Sequence, residues 1–248
     1  MRINLVLCLT LAACRAEEHP GMSRAWPELG TMMSVAAWGA GAGGAAGAGR
    51  AGGGGADSER VARLLDAAHD SVDRIDSLIQ HRRTIPALDS MRREIQRRIG
   101  VTIAVDSLAP GYALDRAALA LAGAVDSALL DLGGQYVWIG APGRLTHRAV
   151  GIPDPDNTLR QLGAVELRDG SIRTRGERNA PPGAVRSVTV LAPTALAASA
   201  WAAALFELGC DRAVTEAPGV SVVCADSTGV RWTKELQNRV SLPAARAP

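Results

Sequence analysis

"LAPGYALDRAALALAG", Leu108–Gly123, is the stretch on which the fold turns. Pro110 and Gly111 precede a helical run from Tyr112 to Leu121, and Gly123 supplies a stop signal. A glycine-led turn into a helix offers free backbone N–H groups and a partial positive charge, a natural seat for phosphate. Two readings follow: a working nucleotide site, or the shell of one.

Upstream, Val61, Leu64, Leu65, Ala68, Val72, Ile75, Leu78 and Ile79 recur at threes and fours. The spacing predicts an amphipathic helix over 57–83, with Asp57 or Ser58 as N-cap. A shorter helix follows Pro86 on Leu88, Met91 and Ile95, its polar side carrying Arg92, Arg93, Arg97 and Arg98 as a solvated face. "VTIAV", 101–105, alternates as a strand does.

Downstream, "SALLDL" and "QYVWIG" read as strands joined at Gly133-Gly134. "HRAVGI", the turn "PDPDN", "AVELRDG", "SIRTRG" and "SVTVLA" continue the pattern, a helix runs from Thr194 to Leu208, and "GVSVVCADSTGVRWT" is a closing hairpin. Strands in adjacent hairpins with helices between groups of them predict an α+β fold: a single domain with a mixed, largely antiparallel sheet and packed helices.

The first residues, "MRINLVLCLTLAAC", join an early cation to an apolar run too short for an ordinary membrane span, as a signal peptide does. Leu11-Ala12-Ala13-Cys14 resembles a bacterial lipobox, with Cys14 as the lipidated residue. The expected organisation is a signal peptide over 1–14, a tether over 15–28, a domain over 29–240 with a Gly/Ala-rich loop at 39–56, and a tail over 241–248. Export and lipid anchoring at the periplasmic side of the bacterial cell envelope follow from that expectation. Cys210 and Cys224 then occupy a compartment that permits disulfides, and either pair or pack as buried thiols.

Composition removes several functions. Across 248 residues the net charge is only +2 and aromatics make up 3%, so neither a global field nor stacking platforms favour nucleic acid. The four histidines show no HxxxH or HExxH spacing, and neither CxxC nor GxSxG occurs.

The succession of landmarks resembles the ApbE-type FAD:protein FMN transferases. It rests on "LGT" at Leu29–Thr31, "DSL" at Asp76–Leu78, "AxGYALD" at Ala109–Asp115, "LLDLGG" at Leu129–Gly134, "VGIPDP" at Val150–Pro155, "IRTRG" at Ile172–Gly176, "SVTVLAP" at Ser187–Pro193 and "ASAWAAALFELG" at Ala198–Gly209. The resemblance implies FAD and Mg2+ as cofactors, an acceptor flavoprotein domain with a target threonine as partner, and transfer of FMN to that threonine. It places Gly111, Tyr112, Asp115, Gly133, Gly134, Thr174 and Gly176 at the cofactor.

The family positions for the metal fall on Ser107, Ser199 and Ala203. Ser199 stands where the family has aspartate, and Ala203 where it has threonine one turn on. Ala104 takes the place of a further aspartate, with Asp106 nearby, and Pro110 that of a Lys or Glu. Arg82 replaces a tyrosine, the family's "GAFDPT"-like segment has no counterpart between Arg83 and Val101, and "ERNAPPGAVR" bridges the place of its "HIxDPxTG" loop. Asp131, Asp154 and Asp156 read as turn-forming acids. The departures leave an alternative: an inactive flavin-transferase-like lipoprotein that serves as a binding or interaction module.

Overall fold

The computed structural model describes residues 21–38, 54–140, 147–217 and 219–242. Cys14, and with it the expected signal peptide and lipidation site, lies outside them, as do 39–53 of the Gly/Ala-rich loop.

Eight strands form one sheet: β1 (Met22–Glu28), β2 (Thr31–Trp38), β3 (Ser127–Leu132), β4 (Gln135–Ile139), β7 (Gly170–Gly176), β8 (Val185–Ala192), β9 (Ser221–Asp226) and β10 (Gly229–Trp232), adjacent in that order. Between β4 and β7 the chain leaves to build a second sheet from β5 (Arg148–Asp154) and β6 (Asn157–Leu167), edged by β11 (Val240–Ser241). Every pairing among the described residues is antiparallel, at the antiparallel end of the expected mixed sheet.

Strand alternation sorts the main sheet's side chains onto two faces. Met33, Val35, Leu130, Leu132, Val137, Val188, Val190 and Val222 meet a layer of helices. Trp38, Trp138, Ile172, Leu191 and Val223 meet Val150, Ile152, Val165 and Leu167 of the small sheet. Both faces of the central sheet are therefore buried, and seven of the eight residues of β8 are buried, the polar Ser187 and Thr189 among them.

The helical layer contains α1 (Gly54–Gln80), α2 (Pro86–Ile99), α3 (Ala109–Leu121), α4 (Ala195–Phe206) and α5 (Cys210–Thr215). The α1 stripe predicted from spacing buries Leu65, Ala68 and Val72, and the helix begins at Gly54, so Asp57 and Ser58, the expected N-cap candidates, lie inside it, Asp57 in its first turn. Nine of the twelve residues of α4 are buried, from Ala195 to Leu205, because it packs on α3 and the sheet together.

Several expectations need correction. "VTIAV" is no strand: it leads into a short 3-10 turn, Val105–Ser107, with Ala104 exposed and only Ile103 buried. The second half of the expected tether is β1, an edge strand that tolerates Pro27 because an edge needs fewer ladder N–H donors. Residues 54–56 begin α1, and Ser241 of the expected tail pairs with Ala164. Cys210 and Cys224, left open above, form a disulfide that ties α5 to β9.

Candidate functional site

Register places the β1–β2 turn, the β3–β4 turn, the end of β7, the start of β8 and the β9–β10 turn at one end of the main sheet. At this end the motifs meet. Gly133 and Gly134 take φ of +57° and +77°, so the two-residue turn needs left-handed backbone that glycine adopts at least cost. Gly133 lies against Thr31: a Cβ there would come within 3.0 Å of the threonine methyl. Across the ladder Gln135 pairs with Arg173, which brings Thr174 beside Gly134.

Two clefts flank this tip. One, of about 240 Å³, is lined by Gly134, Tyr136, Thr174, Gly151, Arg160 and Gln161 and opens between the two sheets. The other, of about 640 Å³, lies between the β1–β2 turn, with Thr31, and Asp73 and Asp76 of α1. A further cleft, of about 770 Å³, is at the opposite end, between Gly170, Pro193, Ser221, Lys234 and Arg239, and holds none of the expected site residues.

The tip carries its own electrostatics. Burial pushes the Asp131 carboxyl above its ordinary value, with the Gly134 N–H and the Arg173 charge pulling it back. Burial and the nearby Asp131 charge together raise the Tyr136 hydroxyl. Burial lowers Arg173, against the pull of Asp131, and its guanidinium donates to the Gly133 carbonyl at 3.1 Å. The glycine N–H groups are already paired: Gly133 donates across to Met32 O of β2 at 3.2 Å and Gly134 to Asp131 Oδ1 at 2.9 Å. The turn offers a ligand room and a cationic neighbour, with its N–H donors already used.

The phosphate seat read at Gly111 is a further correction. The helix starts at Ala109, so Gly111 is inside its first turn. A Cβ there would lie 2.4 Å from the Ala195 carbonyl oxygen and 2.6 Å from Ser199 Oγ. Gly111 is small so that α3 and α4 can touch, which leaves a phosphate no access. Asp115, on the same helix, accepts from Ala195 N and Leu196 N of α4. Tyr112 is half-buried against the helical core. Gly111, Tyr112, Asp115, Ser199 and Ala203 thus lie on the helical face of the sheet, while Thr174 faces the small sheet and shares a hydrogen bond of 2.8 Å with Thr189. Gly176 sits farther along β7 against Pro155 and Arg186.

The positions that the resemblance gives to magnesium do not suit it. Ser199 is buried and donates to Gln135 Oε1 at 2.7 Å; Ala203 is buried and has no side-chain oxygen; Ser107 donates to Ala104 O at 2.7 Å. Magnesium takes hard oxygens in near-octahedral order and binds through carboxylates. Among the described residues no three His, Cys, Asp or Glu side chains gather as a metal group. Asp154 and Asp156 are held by Arg186, and Asn179 N–H with Arg186 keeps the Asp156 carboxyl below its usual range.

Sequence reasoning missed Gln135, the side chain that links the tip to α4. Its only signal is a polar residue at an inward-facing strand position, Gln135 being in phase with Val137.

The chain matches the ApbE family over residues 33–180. It belongs to the ApbE family. Solved structures agree in fold: the ApbE protein of Thermotoga maritima (TM-score 0.58, 16% identity, covering 88% of this chain and 98% of that one) and the flavin transferase ApbE of Vibrio cholerae (0.58, 15%, 88% and 98%). The flavinyl transferase ApbE of Pseudomonas stutzeri, in its apo form, aligns with a TM-score of 0.54 at 16% identity over 87% and 96%. No curated protein matches the sequence significantly. With these relatives the chain shares an α+β scaffold of antiparallel sheets.

Proposed function

We propose that this ApbE-family protein takes FAD at the tip where Thr31, Gly133-Gly134 and Thr174 converge, and that its reaction is flavin transfer of the kind named for its structural neighbours. The observation that carries the reading is this convergence of three separate family motifs at one end of the sheet, beside two clefts. The substrates implied are FAD and a threonine of a partner flavoprotein domain: the threonine oxygen bonds to the FMN phosphorus, the bond to AMP breaks, and the hydroxyl proton leaves to solvent. Arg173 beside the turn and Arg160 lining the smaller cleft are the cations this chain brings to a diphosphate. The envelope location and lipid anchor expected from Cys14 belong to the same proposal.

A second reading is favoured by the donor set on α4: a scaffold that binds the nucleotide and transfers nothing, serving as an interaction module. One assay separates them. Protein is incubated with FAD, magnesium and a threonine-bearing acceptor domain, and the denatured acceptor is examined for covalent flavin fluorescence. A fluorescent acceptor band is the expected result. Folded protein that binds FAD without producing the band selects the second reading, and folded protein that does not bind FAD overturns both.

A further inference from the structure

Ser199 lies one turn into α4 with 3% of its surface exposed, and its hydroxyl donates to Gln135 Oε1 at 2.7 Å. Gln135, the first residue of β4, is wholly buried, and its Nε2 donates to the Ala195 carbonyl at 2.7 Å. The chain from Ser199 through Gln135 to Ala195 closes a neutral loop of hydrogen bonds between the first turn of α4 and the root of the β3–β4 hairpin. One carboxamide uses both its acceptor and its donor there, so the polar atoms of this buried contact are satisfied internally.

The surroundings supply no free carboxylate for a cation. Gly111 backs onto the loop so closely that even a Cβ would collide with Ala195 O and Ser199 Oγ. Ala203, one turn beyond Ser199, adds only a methyl group. Asp115 engages one carboxylate oxygen with Ala195 N and the other with Leu196 N. A dication at this buried point would face a hydroxyl and a carboxamide already bonded to one another and a carboxylate whose two oxygens are both engaged by backbone N–H groups, and an uncompensated buried charge is costly.

We infer that in this chain the Ser199–Gln135–Ala195 relay replaces the divalent cation, tying α4 to the hairpin that carries Gly133 and Gly134, so that the protein folds and takes its nucleotide without magnesium. The inference rests on the family reading for the placement of the cation. Gln135 becomes a positioning residue that acts on the tip through its own strand.

The test uses the full chain and Mn2+ as the probe, followed by its electron paramagnetic resonance signal. Wild-type protein is expected to show no Mn2+ site tighter than about 1 mM. The S199D/A203T double variant, which supplies a carboxylate and a hydroxyl one turn apart, is expected to bind Mn2+ at least about tenfold more tightly and to acquire a melting temperature that EDTA lowers. One tightly bound equivalent of Mn2+ on the wild type, or no gain in a folded double variant, would overturn the replacement; should the double variant not fold, the wild-type titration decides alone. A Gln135→Ala change is expected to weaken FAD affinity as well as thermal stability, and Gln135→Asn, which keeps the amide on a shorter stem, to restore part of both; equal FAD affinity in all three counts against the positioning role. FAD binding is measured in EDTA and in magnesium: equal affinity supports the inference, and magnesium-dependent binding refutes it. No FAD binding under either condition strikes the function proposed above and leaves the Mn2+ titration to decide this point.

Discussion

Asp115 of α3 caps α4, a helix that begins 80 residues later. Its Oδ1 accepts from Ala195 N at 2.6 Å and its Oδ2 from Leu196 N at 2.9 Å, while Thr194 Oγ1 takes Ala197 N at 3.2 Å. Three of the N–H groups that open a helix are thereby satisfied from two separate parts of the chain. The residue that looked from sequence like part of a nucleotide turn is a joint between helices. That joint sets the approach of Ser199 to Gln135, and so connects α3 to the tip of the sheet.

Removing the joint should cost stability. Asp115→Ala leaves two part-buried N–H groups without their acceptors, and a loss of about 1–3 kcal/mol in urea unfolding is expected. Asp115→Asn keeps one acceptor and should lose less. Burial raises the carboxyl above its ordinary 3.8, with the two N–H groups pulling it back. The folded state therefore holds this proton more tightly than the unfolded chain, and this contribution declines as pH rises from 3.8 through the raised value. The decline should be absent in Asp115→Asn; an identical pH slope would show that the titration lies elsewhere.

Gly111→Ala tests the close approach of α3 and α4. Alanine raises helix propensity by about 1 kcal/mol, which alone would stabilise. Here the new methyl meets a backbone carbonyl at 2.4 Å, and backbone cannot step aside as a flexible side chain can. The helices must part, at a cost of about 1–3 kcal/mol for an overpacked contact. The expected outcome is a lower melting temperature; a rise would mean that α4 yields freely.

The fold was legible where burial follows a period. Val61 through Ile79 announced α1, β8 announced itself by its β-branched residues, and α4 as an apolar run. "VTIAV" failed because alternation over five residues does not supply a neighbouring strand, and this segment lies against helices. β1 was hidden because its side chains serve α1 and not a sheet core: Arg24 pairs with Asp66, Glu28 with His69, and the Trp26 ring stacks on His69 at 4.7 Å. The candidate site was legible as motifs and not as geometry. Nothing in the order of residues told that Gly111 and Thr174 lie on opposite faces of one sheet, or that Gln135 would reach through to Ser199.

Acid stability should carry the mark of Asp226. The Thr228 hydroxyl is the largest influence that holds this carboxyl down, to about 2 from 3.8, joined by Arg231 and the Thr228 N–H against the opposing effect of burial. A carboxyl lowered on folding contributes stability that is complete above 3.8 and is lost as pH falls through about 2. Asp226→Asn should flatten the stability curve in that window and change it little in slope above pH 5. Equal slopes for wild type and variant between pH 2 and pH 4 would assign the acid loss to other groups.

The Cys210–Cys224 disulfide offers the last test, because its effect should come mainly from the unfolded chain. It bridges residues 14 apart in sequence, and closing a loop of that size stabilises by about 3 kcal/mol in the chain-entropy account. Cys224 is fully buried and Cys210 nearly so, hence a reductant reaches the bond only after local opening. Dithiothreitol should leave native protein oxidised for long periods and reduce it rapidly in urea, followed by mass after alkylation. The Cys210→Ser, Cys224→Ser pair should unfold at lower urea with a larger m-value, since an unbridged unfolded chain exposes more surface. A lowered midpoint with an unchanged m-value would instead place the effect in the native packing of α5 on β9, where each serine hydroxyl would be buried in place of a sulfur.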